Sequence, residues 1–300
     1  MSVCGICPHR CDIKPGGMGF CRARGIPENM KGTDPFVLSN IKRTVPFMFS
    51  SVSGEVAPLS YGKLTSIALD PIEKKPLYHF HPGSMILSVG SFGCNLRCPW
   101  CQNSHISMAG AADVELSDVS PEALAALAGQ CVPEGNIGVA FTYNEPLINF
   151  EYVRDASILL KERGLKSVLV TNGYAEPEYF GGLLPYTDAM NIDLKSIDGG
   201  FYAAIGGDIE TVKQNIRAAA ASCHVELTCL LINGMNDSER EMEDMTDFIR
   251  SVSQEIPLHI SRFFPRHEMK DKEQTQIETM KRFEEIARRK LKHVHLGNVR

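Results

Sequence analysis

The stretch GCNLRCPWCQN, residues 93–103, sets Cys94, Cys98 and Cys101 within eight residues at a C-x3-C-x2-C spacing. A tetrahedral structural zinc site closes with four protein ligands, so three close thiols leave such a site unfinished. An iron–sulfur cube has four irons, each needing a ligand, and three thiolates leave one iron open to a ligand that is not protein. The competing explanation is a zinc knuckle that borrows its fourth ligand from elsewhere, with His105 as the nearby candidate.

Working outward from this loop, the chain becomes regular from Met85 onward. Apolar runs of strand length, MILSVG, IGVAFTY, KSVLVT, DAMNIDL, HVELTCLLI and PLHISRF, are each bounded by turn residues. Between them lie amphipathic stretches. One starts after Ser120, a good N-cap, with Pro121 at the first helical position. Others cover about 150–163, 209–222, 238–254 and 273–290, and a last short strand is expected in KHVHLGN. Strict alternation implies parallel strands joined by right-handed crossovers. The expected fold is α/β, a partial (β/α)6 TIM-like barrel over 81–300, with its site at the C-terminal strand ends. Residues 1–80 read as a small N-terminal cysteine-rich module, with β-like pieces at FVLSNI, VPFMF and LTSIALD.

The composition admits this fold and narrows the function. Of 300 residues, 43% are hydrophobic and 22% charged, a globular mix, and the net charge of −5 offers no basic face for nucleic acid. No apolar run reaches the roughly 18 residues of a membrane helix. The start MSVCGICPHRC is neither a signal nor a transit sequence, so a cytoplasmic protein is expected. In a reducing compartment the ten cysteines are read as metal ligands or buried apolar groups rather than disulfides. Cys131, Cys223 and Cys229 lie in apolar surroundings and suit the second role.

Cys4, Cys7, Cys11 and Cys21 form a complete set of four, spaced C-x2-C-x3-C-x9-C. A full set suits a closed zinc site or a saturated auxiliary Fe–S cluster, and spacing does not choose between them. His9 could replace one thiol. Either metal would staple a module too small for a sizeable core.

The C-x3-C-x2-C spacing, with Trp100 before the third cysteine, resembles the signature of the radical SAM superfamily, and further motifs follow in order. The resemblance implies a [4Fe–4S] cluster on Cys94, Cys98 and Cys101, flanked by Trp100 and Gln102, and S-adenosylmethionine as the second cofactor. FTYNEP would bring Thr142, Asn144 and Glu145 to the methionine ammonium, with Glu145 as its charged partner. VTNGY would bring Thr171 and Asn172 near the cofactor. NIDLKS is similar to the D-L-K motif of glycyl-radical-enzyme activases, where Asp193 organises the strand end and Lys195 pairs with the methionine carboxylate. FFPRHEM is similar to the segment whose histidine meets the nucleoside, here His267.

Within the superfamily, two resemblances compete. CGICPHRCDIKPGGMGFCRAR, YGKLTSIALDPIEKKPLYHFHPGS and ILSVGSFGCNLRCPWCQNSHIS resemble the radical SAM member of the AmmeMemoRadiSam group, itself similar to pyruvate formate-lyase activating enzymes. Two departures are visible: extra sequence at about 28–56, and a halt at Arg300 where members continue into a cysteine-bearing tail. Glu73, Lys74 and Lys75 either line the rim of the site or form an exposed charged turn. The second resemblance, a true glycyl-radical activase, matches D-L-K and P-x-H but leaves the N-terminal cysteines without a role. The implied function is an oxidoreductase that cleaves S-adenosylmethionine reductively to a 5′-deoxyadenosyl radical, which takes a hydrogen atom from an unidentified substrate. The implied partners are a low-potential electron donor, ferredoxin or flavodoxin, and a co-encoded protein if the chain is an activase. A metal-binding scaffold without catalysis is the third alternative.

Overall fold

The computed structural model describes residues 1–27 and 56–299. Its centre is an eight-stranded sheet of β1 (Ser66–Pro71), β2 (Met85–Gly90), β3 (Asn136–Phe141), β4 (Lys166–Thr171), β5 (Ala189–Asp193), β6 (His224–Leu231), β7 (Leu258–Arg262) and β8 (Val294–Gly297). Neighbours in the sheet are neighbours in sequence, from β1 at one edge to β8 at the other. From β2 to β8 every pairing is parallel, whereas β1 runs antiparallel to β2. The barrel is therefore partial, as its alternating pattern implies.

The helices are α1 (Ser104–Ser107), α2 (Pro121–Gln130), α3 (Phe150–Glu162), α4 (Pro177–Leu183), α5 (Gly199–Ala204), α6 (Ile209–Ala220), α7 (Glu239–Val252) and α8 (Ile277–Arg288). Ser120 caps α2 by accepting from Ala123 N, with Pro121 at the first position. Asp208 and Ser238 cap α6 and α7 in the same way. The helices α6, α7 and α8 bury one face each through Val212, Ile216, Met245, Ile249, Phe283 and Ala287. This packing onto the sheet supplies the main core. A second, smaller core of Ile72, Leu77, Ile86, Ala140, Val168 and Ala189 fills the base of the barrel. Among the described residues no helix is long and apolar enough to cross a membrane.

One expectation shifts, and three helices have no sequence signal. The piece LTSIALD belongs to the sheet rather than to a separate module, because Ser66–Pro71 pairs with Met85–Gly90 along its whole length. Helices α4 and α5 carry Gly-Gly pairs (Gly181 and Gly182, Gly199 and Gly200), and α1 is a single turn. Neither gives the sustained 3.6-residue period that marks a helix in sequence. The pieces at 36–41 and 45–49, and nearly all of the 28–56 insertion, lie outside the described residues.

The N-terminal segment has little regular structure of its own. Ser2–Val3 pairs with Asp12–Ile13, and Arg24–Gly25 with Ala57–Pro58. It is pinned to the barrel by Arg24, which is buried, donates two hydrogen bonds of 2.8 and 2.7 Å to Glu151 on α3, and a third of 3.1 Å to the Ile148 carbonyl.

Candidate functional site

The cysteine loop leaves the C-terminal end of β2, the end where a barrel of parallel strands carries its site. It begins at Gly93, whose backbone is left-handed at φ +83° and where a Cβ would lie 2.3 Å from the Cys21 carbonyl oxygen. Only glycine fits there, and its absence of a side chain brings the two cysteine groups' loops into contact.

The segment after β3 braces this loop. Asn144 Oδ1 accepts from Ser91 N at 2.9 Å, and its Nδ2 donates to the Phe92 and Gly93 carbonyls at 3.1 Å each. On the other flank, Asn103 Nδ2 donates to the Tyr143 carbonyl at 2.8 Å. Thr142 is buried, with its backbone N–H on the Val89 carbonyl. Asn144 thus spends its amide on the loop backbone.

Glu145 is buried and accepts three hydrogen bonds: from Leu147 N (2.9 Å), the Thr171 hydroxyl (2.6 Å) and Asn172 N (2.8 Å). Burial dominates these donors and, with Asp193 adding to it, pushes the carboxyl up to about 7. Among the described residues no cation is paired with it.

Asn172 Nδ2 also donates to Asn95 Oδ1 at 2.9 Å and lies 3.7 Å from the Cys94 sulfur. At the end of β5, Lys195 Nζ meets Asp193 Oδ2 at 2.8 Å. Burial would lower this ammonium, but Asp193 and then Cys98 outweigh it and hold it well above its usual value. The FFPRHEM segment closes over the loop from β7: Glu268 N donates to the Pro99 carbonyl at 2.9 Å, with His267 at its apex in a left-handed conformation, φ 50°. Trp100 is buried against Phe201, ring centroids 5.4 Å apart, whereas Gln102 and His105 are exposed.

The motifs at the ends of β2, β3, β4, β5 and β7 therefore share one rim. The thiols of Cys94 and Cys98 are pushed up by burial first, Cys98 to about 11, and further by their electrostatic coupling to Cys101. Such thiols become thiolates only if a cation supplies the charge, which is what a metal does. Among the described residues, no three Cys, His, Asp or Glu side chains converge as the ligands of one shared ion would. A cube gives each thiolate its own iron, so three cysteines around a cluster need no such convergence. A buried carboxyl, a charged ammonium and three neighbouring thiols fit a cluster together with an amino-acid headgroup.

The N-terminal cysteines gather beside this loop. Burial pushes Cys7 up to about 12, with Cys21 and Cys4 adding to it. Cys11 accepts from Phe20 N at 3.3 Å. His9 Nε2 donates to the Asn95 carbonyl at 2.8 Å, so it ties the two loops together instead of joining the thiols. Asn95, fully buried, is thus the residue between both groups that motif reading missed; its place inside GCNLRC was the available signal.

The DPIEKK segment does not form a wholly exposed turn. Lys74 is exposed, but Lys75 is 3% exposed, paired to Asp70 at 2.9 Å. A wide groove of about 840 Å3, lined by Lys161, Lys166, Asp188 and Cys223 among others, lies at the N-terminal ends of β4 to β6. It gathers none of the motif residues, so the chemistry, not the volume, locates the site.

A match to the radical SAM superfamily spans residues 88–249, β2 through most of α7. The chain is 34% identical over 300 residues to the uncharacterized protein MJ0808 of Methanocaldococcus jannaschii, covering 99% of this chain and 81% of that one. It is 26% identical over 168 residues to the pyruvate formate-lyase-activating enzyme of Clostridium pasteurianum, covering 53% of this chain and 67% of the other. In fold it is similar to a radical SAM methyltransferase from Sphaerobacter thermophilus, with a TM-score of 0.55 and 16% identity over 72% of this chain and 67% of that one. The chain belongs to the radical SAM superfamily, with similarity to pyruvate formate-lyase activating enzymes. Membership implies a [4Fe–4S] cluster and S-adenosylmethionine as cofactors.

Proposed function

We propose that the chain is a radical SAM oxidoreductase of the AmmeMemoRadiSam type, with Cys94, Cys98 and Cys101 as the ligands of its catalytic cluster. The observation that carries this is the rim itself: three neighbouring thiols, Cys98 buried and Cys94 and Cys101 partly so, beside a buried carboxyl that has no cation of its own among the described residues. When bound, the cluster and S-adenosylmethionine supply one-electron cleavage to a 5′-deoxyadenosyl radical that removes a hydrogen atom from substrate.

The chain's residues bind and orient. Glu145, held rigid by Leu147, Thr171 and Asn172, receives the methionine ammonium as a charge-assisted partner. Lys195, kept charged by Asp193, meets the carboxylate. Thr142, Asn144 and Asn172 hold the loop and the Glu145 carboxyl in register. His267 covers the nucleoside side, and Trp100 with Gln102 flanks the third cysteine. The low-potential electron comes from a ferredoxin or flavodoxin. Cys4, Cys7, Cys11 and Cys21 hold a second metal, zinc or Fe–S, in the N-terminal segment that packs on the barrel, in a cytoplasmic protein.

A second reading, installation of a glycyl radical in a partner enzyme, is supported by the similarity to the Clostridium pasteurianum activating enzyme. The test is anaerobic reconstitution, reduction and chromatography for 5′-deoxyadenosine. Formation that Cys98→Ala abolishes supports the proposal. A backbone radical appearing on a co-encoded partner moves it to the activase. No deoxyadenosine from wild type leaves only a metal-binding scaffold.

A further inference from the structure

DPIEKKP is the motif that the cofactor reading leaves without a role, and the structure turns it into the barrel. Asp70, near the end of β1, stands opposite Ile86 of β2. A single 3-10 turn, Ile72–Lys74, brings Lys75 back over it, with Nζ 2.9 Å from Asp70 Oδ2. Between this pair and the cysteine loop stands Tyr143. Its hydroxyl donates to Asp70 Oδ2 at 2.8 Å, Lys75 Nζ is 3.4 Å from that hydroxyl, and the same ammonium lies 4.7 Å from the ring centroid. The ring reaches down past Gly90, where a Cβ would sit 2.9 Å from Tyr143 Cδ2.

Tyr143 is also the strained residue of the Thr142–Glu145 turn. Its φ is +70°, a region that bulky side chains avoid unless their surroundings over-determine it. Its carbonyl accepts from Asn103 on one side of the cysteine loop, and its neighbour Asn144 bonds the Ser91–Gly93 backbone on the other. A side chain anchored from below fixes the backbone of the turn whose two neighbours, Tyr143 and Asn144, grip one flank each. The anchor is itself stiff, because the buried Lys75 keeps its partner Asp70 in place or is left an uncompensated charge.

We propose that Asp70 and Lys75 are positioning residues that act through the Tyr143 hydroxyl to hold the Thr142–Glu145 turn against the cysteine loop. This rests on that loop being the seat of the cluster, so the test has one arm that needs no cluster. Amide hydrogen exchange is measured on the peptides spanning 91–104 and 141–147 in wild type, Tyr143→Phe, Asp70→Asn and the double variant, all free of metal. The expected result is exchange about tenfold faster in each single variant, and no faster in the double, because both cut one link.

In the second arm the reconstituted variants keep wild-type iron content but cleave S-adenosylmethionine about tenfold more slowly, with an altered electron paramagnetic resonance spectrum of the reduced cluster when the cofactor is added. Wild-type exchange in the single variants, or additive effects in the double, overturns the brace. A wild type that exchanges as expected yet forms no deoxyadenosine overturns the functional reading and leaves the brace standing. Should Asp70→Asn fail to fold, Tyr143→Phe, which removes one oxygen atom, decides the question alone by the first arm.

Discussion

Two buried carboxylates stand at opposite ends of the barrel and behave in opposite ways. Glu145 lies on the rim with three neutral donors, and burial raises its carboxyl to about 7. Glu226, fully buried at the base, accepts from Tyr78 N (3.0 Å), His79 N (2.8 Å), His224 Nε2 (2.9 Å) and His259 Nε2 (2.6 Å). Burial works on it too, but His224, His259 and the two amides together outweigh it and hold the group below the usual carboxylate range. His295 stacks on His259 and meets His79, closing the base around Glu226. Equal burial with opposite shifts separates an end that is electrostatically complete from one that still lacks a cation. The base is built for stability, and the mouth holds binding capacity in reserve.

The comparison breaks most sharply at the cysteines. Cys98→Ala is expected to reduce deoxyadenosine formation to background in the chromatographic assay, whereas no change at the base should do so without unfolding the chain. Next in size, Glu226→Gln strips two imidazoles of their shared anion. It should cost about 3–5 kcal/mol in urea unfolding, as for other broken buried pairs. Because the folded value lies below the ordinary 4.5, Glu226 contributes fully above pH 4.5, and that contribution is lost as pH falls further.

Glu145→Gln should do the reverse. Losing a charge-assisted contact raises the KM for S-adenosylmethionine about 10- to 100-fold. Yet the cluster-free variant should be more stable than wild type at pH 8, by at most about 3 kcal/mol for a shift of this size. The sign follows from a folded value of about 7 against 4.5: the folded chain keeps a proton that the unfolded chain releases, so stability falls as pH rises between those values and then levels. Thermal melts at pH 5 and pH 8 would check it, and a Glu145→Gln variant less stable at pH 8 would erase the contrast.

The smallest effect belongs to His295, which burial first, and His259 and His79 next, lower to about 4. Its neutral form is favoured in the folded chain, so stability declines as pH falls from about 6.5 towards 4. His295→Gln should flatten that part of a melting-temperature profile.

The barrel was legible because strand and helix alternate with clear periods, and KSVLVT coincides with β4 residue for residue. The rim was legible because each motif closes a strand, so chain order became spatial order. What stayed hidden lacked a local period or a partner close in sequence. Lys75 reads as a rim or exposed-turn residue, and Asp70 as the end of a β-like piece, until a tyrosine 68 positions beyond Lys75 meets them. The histidines of the base come from three strand regions and a loop, and their shared anion, Glu226, sits inside an apolar run as one polar residue among many. Asn95 is a single buried amide whose partners lie on the N-terminal segment and beyond β4.

The central claim is that one iron of the cluster on Cys94, Cys98 and Cys101 is left by the polypeptide for S-adenosylmethionine. Mössbauer spectroscopy of anaerobic protein reconstituted with 57Fe, before and after addition of the compound, tests it most directly. The account predicts a cluster in which a single iron changes its parameters on addition while the other three do not. A cluster whose four irons all ignore the compound, or sulfurs occupied by zinc with no cluster at that loop, would contradict it.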